Sequence, residues 1–224
     1  MVFTAIALDP VEWGIVESYA RPGGMITGNV LNALGGEDTI AEKRITLFKE
    51  LVPGLTRLGM FGEGMIKGAK INLFEKEVSA GIRVSSRLDF ETRAYPLVTI
   101  DDLERAITSA VSDGIDGIYL SGDPLLSSNL SRALPLIMGA GKPTLATYVE
   151  FARAGVLMTY ASDLLDGYRR AGRYAGKILK GDKPGDLPIE QPTKFTLAIN
   201  TRTAKQLGIS IPAALHVAAD ELIE

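Results

Sequence analysis

The sequence has no cysteine and a single histidine, His216. The first absence excludes disulfide staples and thiolate metal sites. The second leaves a histidine-rich metal centre or a Ser-His-Asp triad without its material, and His216 itself reads as a surface residue on the last helix. No apolar run is long enough to span a bilayer. Positive charge is not in excess either: 24 Lys and Arg stand against 27 Asp and Glu, scattered along the chain. A nucleic-acid partner is therefore not expected. Met1 is followed by strand-like residues with no basic leader region, so no signal peptide is read here. That fits a cytosolic protein, and equally an exported one written without its N-terminal part. The patterns GxxxxGKS/T, GxGxxG, GxSxG and HExxH are also missing. With no nucleophile, base and orienter assembled, neither an enzyme nor a bound cofactor or metal is expected.

What is present begins with an apolar run over 2–8, broken at Asp9-Pro10. Pro10 suits a first helical position, Asp9 can cap the amides behind it, and Glu12 stands three residues on, as in a capping box. A buried strand that ends in a helix-capping acid is the expectation. Arg21-Pro22-Gly23-Gly24 then ends that helix and reads as a turn, not as a phosphate loop.

Further on, strand-like and helix-like segments alternate. Strands are expected over 55–61, 92–98, 115–120, 144–148, 156–160 and 194–199. Pro96 within 92–98 suits an edge. Helices are expected over 39–51, from about 67 into 83–87, behind an Asp101 cap, over 125–138, behind a Ser162 or Asp163 cap, and over 201–207 behind Asn200. A tight irregular turn is read over 150–155, and a last helix rich in alanine and acids closes the chain. The alternation implies an α/β fold with parallel sheets covered by helices on both faces.

Ligands of such sheets collect beyond the carboxyl ends of the strands. Asp9 and Asp123, each followed by Pro, stand there, as do Glu63 and Glu150. Capping accounts for the two Asp-Pro pairs more readily than acid–base catalysis, although a cap at a strand end can still touch a ligand. Tyr148, Phe151 and Tyr160 fall near one strand end, where packing and a stacking platform are both open readings.

The carboxyl-terminal third is more specific. Residues 178–195 read ILKGDKPGDLPIEQPTKF, followed by Leu197, Ile199-Asn200, Thr203-Ala204-Lys205, Leu207-Gly208 and Ile211-Pro212. Upstream in order come Asp9-Pro10, ARPGG with ITG over 20–28, Lys43-Arg44 with KELVPG over 43–54, Asp123-Pro124, and Phe151 to Tyr160 as F-x-x-x-G-x-L-x-x-Y. Together these resemble the substrate-binding protein family of ABC transporters that includes the tryptophan-type binders, and the resemblance covers essentially the whole chain.

The resemblance implies two doubly wound parallel-sheet lobes of the type I periplasmic binding protein kind, joined by crossover hinges. It places 1–29 and 142–190 in the first lobe, which is incomplete at its N-terminal side, and 30–141 and 191–224 in the second. It implies an extracytoplasmic, periplasmic protein that captures an amino acid or similar small-molecule ligand in the cleft between lobes and delivers it to an ABC permease in the membrane. Combined with the strand-end argument, it selects Asp9, Glu63, Ser121, Asp123 and Tyr148 as ligand-binding residues, the carboxylates holding an amine. Two positions depart from the family pattern: Met25 stands where Asn is frequent, and Gly62-Glu63-Gly64-Met65 replaces an Asn-Pro-rich turn. The alternative reading is the ligand-sensing domain of a transcription regulator, which shares the fold. An incomplete lobe also leaves the edge at 2–8 unpaired, so self-association is expected.

Overall fold

The computed structural model describes the chain except for residue 8, residues 33–35 and residues 65–71, and apart from the side chains of Ala5 and Ile6. The expected helix start near Lys67 lies outside the described residues. In chain order the elements are β1 (Val2–Ile6), β2 (Thr27–Val30), α1 (Gly36–Leu51), β3 (Arg57–Glu63), α2 (Leu73–Leu88), β4 (Glu91–Leu97), α3 (Leu103–Ser112), β5 (Gly117–Leu120), α4 (Pro124–Ser128), α5 (Leu130–Gly139), β6 (Thr144–Ala146), α6 (Val149–Arg153), β7 (Met158–Ser162), α7 (Leu164–Leu179), β8 (Phe195–Asn200), α8 (Thr201–Gln206), α9 (Ala213–Ala218) and β9 (Glu221–Ile223). Short 3₁₀ turns occupy Ile100–Asp102 and Pro184–Asp186.

The chain divides into two compact units. The first takes Met1–Ile40 and Ser162–Phe195, the second Ala41–Ala161 and Thr196–Glu224. This differs from the expected boundary at residue 142. β6 pairs with β5 and β7 pairs with β6, so the backbone ladder keeps 142–161 in the second unit's sheet.

In the first unit β1 and β2 pair in parallel, Val2 opposite Thr27 and Phe3 opposite Gly28. A parallel bridge joins Asn29 to Glu190. Among the described residues no strand lines the other edge of β1. α7 lies against both strands. Buried side chains fasten the segments: Thr27 Oγ1 donates to the Leu187 carbonyl (2.8 Å) and Asn29 Nδ2 to that of Gly167 (2.9 Å). Ser162 Oγ donates to the Leu31 carbonyl at 2.6 Å.

The helix expected behind Asp9-Pro10 does not form; 10–20 is a run of turns. Gly14 sits at φ +68°, and the Gly14 and Ile15 amides donate to the Val11 and Pro10 carbonyls, which closes the chain on itself. The β-branched pair Ile15-Val16 follows, and Val16 is buried with Val30 and Ile189. Tertiary burial here overrides the local cap signal.

Among the described residues of the second unit seven strands lie in the order β4-β3-β5-β6-β7-β8-β9, every described pairing parallel. Alternate residues face opposite ways. Leu58, Met60, Tyr119 and Leu145 join one apolar cluster with α1 and α2, whereas Phe61, Ile118, Leu120 and Ala146 join another with α3 and α5. Both faces are thus covered, as a parallel sheet requires. β4 is an edge strand and accommodates Pro96.

Four local expectations need correction. The helix expected over 125–138 is broken at Asn129 into α4 and α5. Residues 150–153 are helical, not an irregular turn: they belong to α6, which begins directly behind Tyr148, so Tyr148 lies outside the strand. The cap before α3 belongs to Thr99 and Asp102: Asp102 Oδ2 accepts from the Thr99 (2.9 Å) and Val98 (3.2 Å) amides, not to Asp101. Finally, the terminal acids are not helical, since Glu221 opens β9 beside β8.

Candidate functional site

Three neighbouring strands of the second unit end side by side, and residues at or just beyond their ends carry the candidate site. β3 ends at Glu63, β5 runs into Ser121-Gly122-Asp123, and β6 runs into Thr147-Tyr148. The Ser121 amide donates to the Phe61 carbonyl (2.9 Å), extending the β3–β5 ladder one step. Asp123 then leaves the sheet with extended backbone and caps α4: its Oδ1 accepts from the Leu126 amide at 3.0 Å, with Pro124 at the first helical position.

The second Asp123 oxygen is what makes this more than a cap. Oδ2 accepts from the backbone amide of Glu63 at 2.7 Å. Asn72, which caps α2 through its Oδ1, donates through Nδ2 to the Glu63 carbonyl (2.9 Å). Glu63 is thus held by its backbone on both sides while its side chain stays partly exposed. Burial raises the Asp123 carboxyl above its ordinary value, opposed by the amide bonds from Leu126 and Glu63. Glu63 is raised as well, first by burial and then by the charge of Asp123.

Gly122 is required by close approach. A Cβ there would lie 2.9 Å from Thr147 Oγ1 and 3.1 Å from its Cγ2. Thr147 is itself buried, and its hydroxyl has no hydrogen-bond partner among the described residues. Sequence reasoning passed over Thr147, although a hydroxyl at a strand end beside Tyr148 was a usable signal.

The structure therefore brings Glu63, Ser121 and Asp123 together. Ser121 is fully buried, and its Oγ accepts from the Asp123 amide at 3.3 Å. Tyr148 lies beyond the end of β6, directly before α6, and packs, half-buried, against the apolar cluster that holds Phe151. Tyr160 packs against the other cluster, so the three aromatics do not form one platform. Asp9 belongs to the first unit. Its Oδ1 accepts from the Val11 amide (2.8 Å) and the Glu12 amide (3.3 Å). Burial, followed by the charge of Asp9 and a hydrogen bond to it, pushes the Tyr19 phenol up to about 12.

Two further features were not read from the sequence. The first unit has a cavity of about 320 Å³ lined by Asn29, Leu31, Asp163, Arg169, Arg170 and Lys194. In it Arg170 is committed to Asp166 (2.6 Å) and the Gln191 carbonyl (2.6 Å). Beneath the strand-end turn of the second unit, Arg44, Glu77 and Tyr119 meet with no exposed surface. Among the described residues no group of His, Cys, Asp and Glu could hold a metal ion, and no helix is long and apolar enough to cross a membrane.

Comparison with known proteins bears on the fold and the family. A tyrosine-binding protein of Clostridioides difficile is 26% identical over 215 residues, which is 93% of this chain and 57% of that protein. The chain thus spans little more than half the length of that curated relative. Among solved structures, an ABC domain from Streptococcus pneumoniae in complex with L-Trp superposes with a TM-score of 0.84 at 21% identity, over 99% of this chain and 71% of that one. A conserved domain protein from Vibrio cholerae gives 0.79 at 22% identity, over 99% and 70%. These likenesses show the fold, that of type I periplasmic binding proteins. The family described as ABC transporter substrate binding protein matches residues 1–223, and the chain belongs to that family.

Proposed function

We propose that the chain captures a small organic ligand bearing an ammonium group, an amino acid or a close relative, for an ABC importer. Its partner in this reading is the membrane permease, and its place is outside the cytoplasm, as the family's is. One observation carries the ligand class: two carboxylates, Glu63 and Asp123, stand together at the strand ends, joined through the Glu63 amide at 2.7 Å. Relatives that bind tyrosine and L-Trp support the same class.

In this reading Glu63 meets the ligand ammonium, and Asp123 adds negative charge from behind while fixing the Glu63 backbone. Ser121 holds the Asp123 amide, Thr147 offers a hydroxyl, and Tyr148 covers apolar surface. Asp9 serves as the first unit's contribution, and the resemblance adds closure of two lobes over the ligand. Calorimetry with L-tryptophan and L-tyrosine tests the residues. Glu63→Gln and Asp9→Ala are each expected to weaken binding by about tenfold or more, the scale of a lost charged hydrogen bond. Unchanged affinity in both overturns the assignment.

A further inference from the structure

The strongest unexplained feature of the second unit is the buried ion pair beneath the Ser121-Gly122-Asp123 turn. Arg44 comes from α1, Glu77 from α2 and Tyr119 from β5, and all three are completely buried. Taking two charges out of water is costly and rarely stabilises a fold by itself, so such a pair calls for a reason. The geometry supplies one in a single atom. Glu77 Oε1 accepts from the Tyr119 hydroxyl at 2.8 Å, from Arg44 Nη1 at 3.4 Å and from the backbone amide of Gly122 at 3.4 Å.

Two of these donors, Tyr119 and Gly122, belong to β5 and its continuation, and the third ties in another strand. Arg44 is anchored in turn by its Nε, which donates to the Tyr160 carbonyl on β7 at 2.7 Å, and its Nη1 also touches the Tyr119 hydroxyl. Arg44 and Tyr119 thereby hold the Glu77 carboxylate in place, and the carboxylate holds Gly122. The next residue is Asp123, whose Oδ2 takes the Glu63 amide. A hydrogen-bonded path therefore runs from the interior to the backbone of Glu63. Gly122 has no side chain to hold it by, and Thr147 closes the space where one would sit.

We propose that Glu77 is a positioning residue for ligand capture: its carboxylate, oriented by Arg44 and Tyr119, sets the Gly122–Asp123 turn and through it the Glu63 carboxylate. The effect on affinity rests on the ligand reading above; the effect on the turn does not. Negative charge on Glu77 strengthens the Gly122 amide bond, so a neutral isostere loosens the turn without opening a cavity.

Nuclear magnetic resonance and calorimetry on the full chain separate the two parts. The variants are Glu77→Gln and the milder Tyr119→Phe, which removes one donor and keeps the ring. In ligand-free protein both variants are expected to shift the Gly122 and Glu63 amide resonances and to speed their hydrogen exchange. In titrations with L-tryptophan and L-tyrosine, affinity is expected to fall by about tenfold in Glu77→Gln, the scale of one charged hydrogen bond. Gly122 and Glu63 amides that stay unmoved in both variants overturn the proposal and leave the network as a brace of the fold. Shifted amides with undiminished affinity overturn it too, since the turn then does not govern capture. If wild-type protein binds neither amino acid, the ligand reading fails on its own, and the amide measurement still decides whether Glu77 sets the turn.

Discussion

The Glu63 amide donates to Asp123 Oδ2 across 2.7 Å, joining the last residue of β3 to the residue that opens α4. One carboxylate therefore does two jobs, capping a helix and clamping the end of a neighbouring strand. Both of its oxygens are engaged by backbone amides, and its side chain is almost wholly buried. The consequences of that arrangement are measurable.

Asp123→Ala removes the α4 cap, worth about 0.5–2 kcal/mol, and strands the Glu63 amide, worth about 1–3 kcal/mol more. A clear fall in the urea midpoint is expected, with the Glu63 amide gaining fast hydrogen exchange. Asp123→Asn keeps one carbonyl oxygen and should restore part of the loss. Equal behaviour of the two variants would mean that Asp123 does not clamp the Glu63 amide.

The pH dependence has a definite sign. The Asp123 and Glu63 carboxyls are raised above their ordinary values of 3.8 and 4.5. As pH climbs past those values the unfolded chain releases its protons first, so folding stability falls until the raised values are passed. These two groups thus favour the folded state in acid and oppose it above. Ligand capture should run the other way: an ammonium needs ionised carboxylates, so affinity declines as pH drops through the raised values. Thermal unfolding of Asp123→Asn should show a flatter acid slope than wild type, and an unchanged slope would refute this.

Gly122 and Thr147 form a second measurable pair. Gly122→Ala places a methyl 2.9 Å from Thr147 Oγ1, and such overpacking costs about 1–3 kcal/mol. Thr147→Val replaces a buried hydroxyl without a partner among the described residues. It should leave stability equal or raise it by about 1 kcal/mol, while weakening ligand binding if the hydroxyl is a contact. A large destabilisation by Thr147→Val would mean that the hydroxyl is satisfied within the fold.

Much of this fold was legible because its signals are local. Asp163 and Asn200 cap α7 and α8 as their position before each helix implies, and Pro96 falls on the edge strand its chemistry requires. Asp123-Pro124 was legible as a cap for the same reason. Asp9-Pro10 carries the same signal and fails, because Gly14 turns the chain back and Val16 is drawn into contact with Val30 and Ile189. The clamp on Glu63 spans 60 residues, and the contacts of Glu77 with Arg44 and Tyr119 span 33 and 42. No local pattern encodes pairings at such separations. β9 escaped notice for a related reason: three residues gain strand character only by pairing with β8.

Self-association is a further expectation. Leu165, Tyr168 and Leu179 are exposed along α7, at 54%, 55% and 88%, with helical spacing that puts them on one stripe. No strand among those described lines the outer edge of β1. Light scattering of the purified chain should show a mass above that of a 24.0 kDa monomer, reduced by Leu165→Glu and Tyr168→Lys. A monomer at all concentrations would contradict this.

Isothermal titration calorimetry of the purified chain with L-tryptophan, L-tyrosine and D-glucose tests ligand capture most directly. Saturable one-site binding of at least one of the amino acids, weakened in Glu63→Gln and absent for glucose, is the predicted result. Binding of the sugar alone, or amino-acid binding indifferent to Glu63, would contradict it.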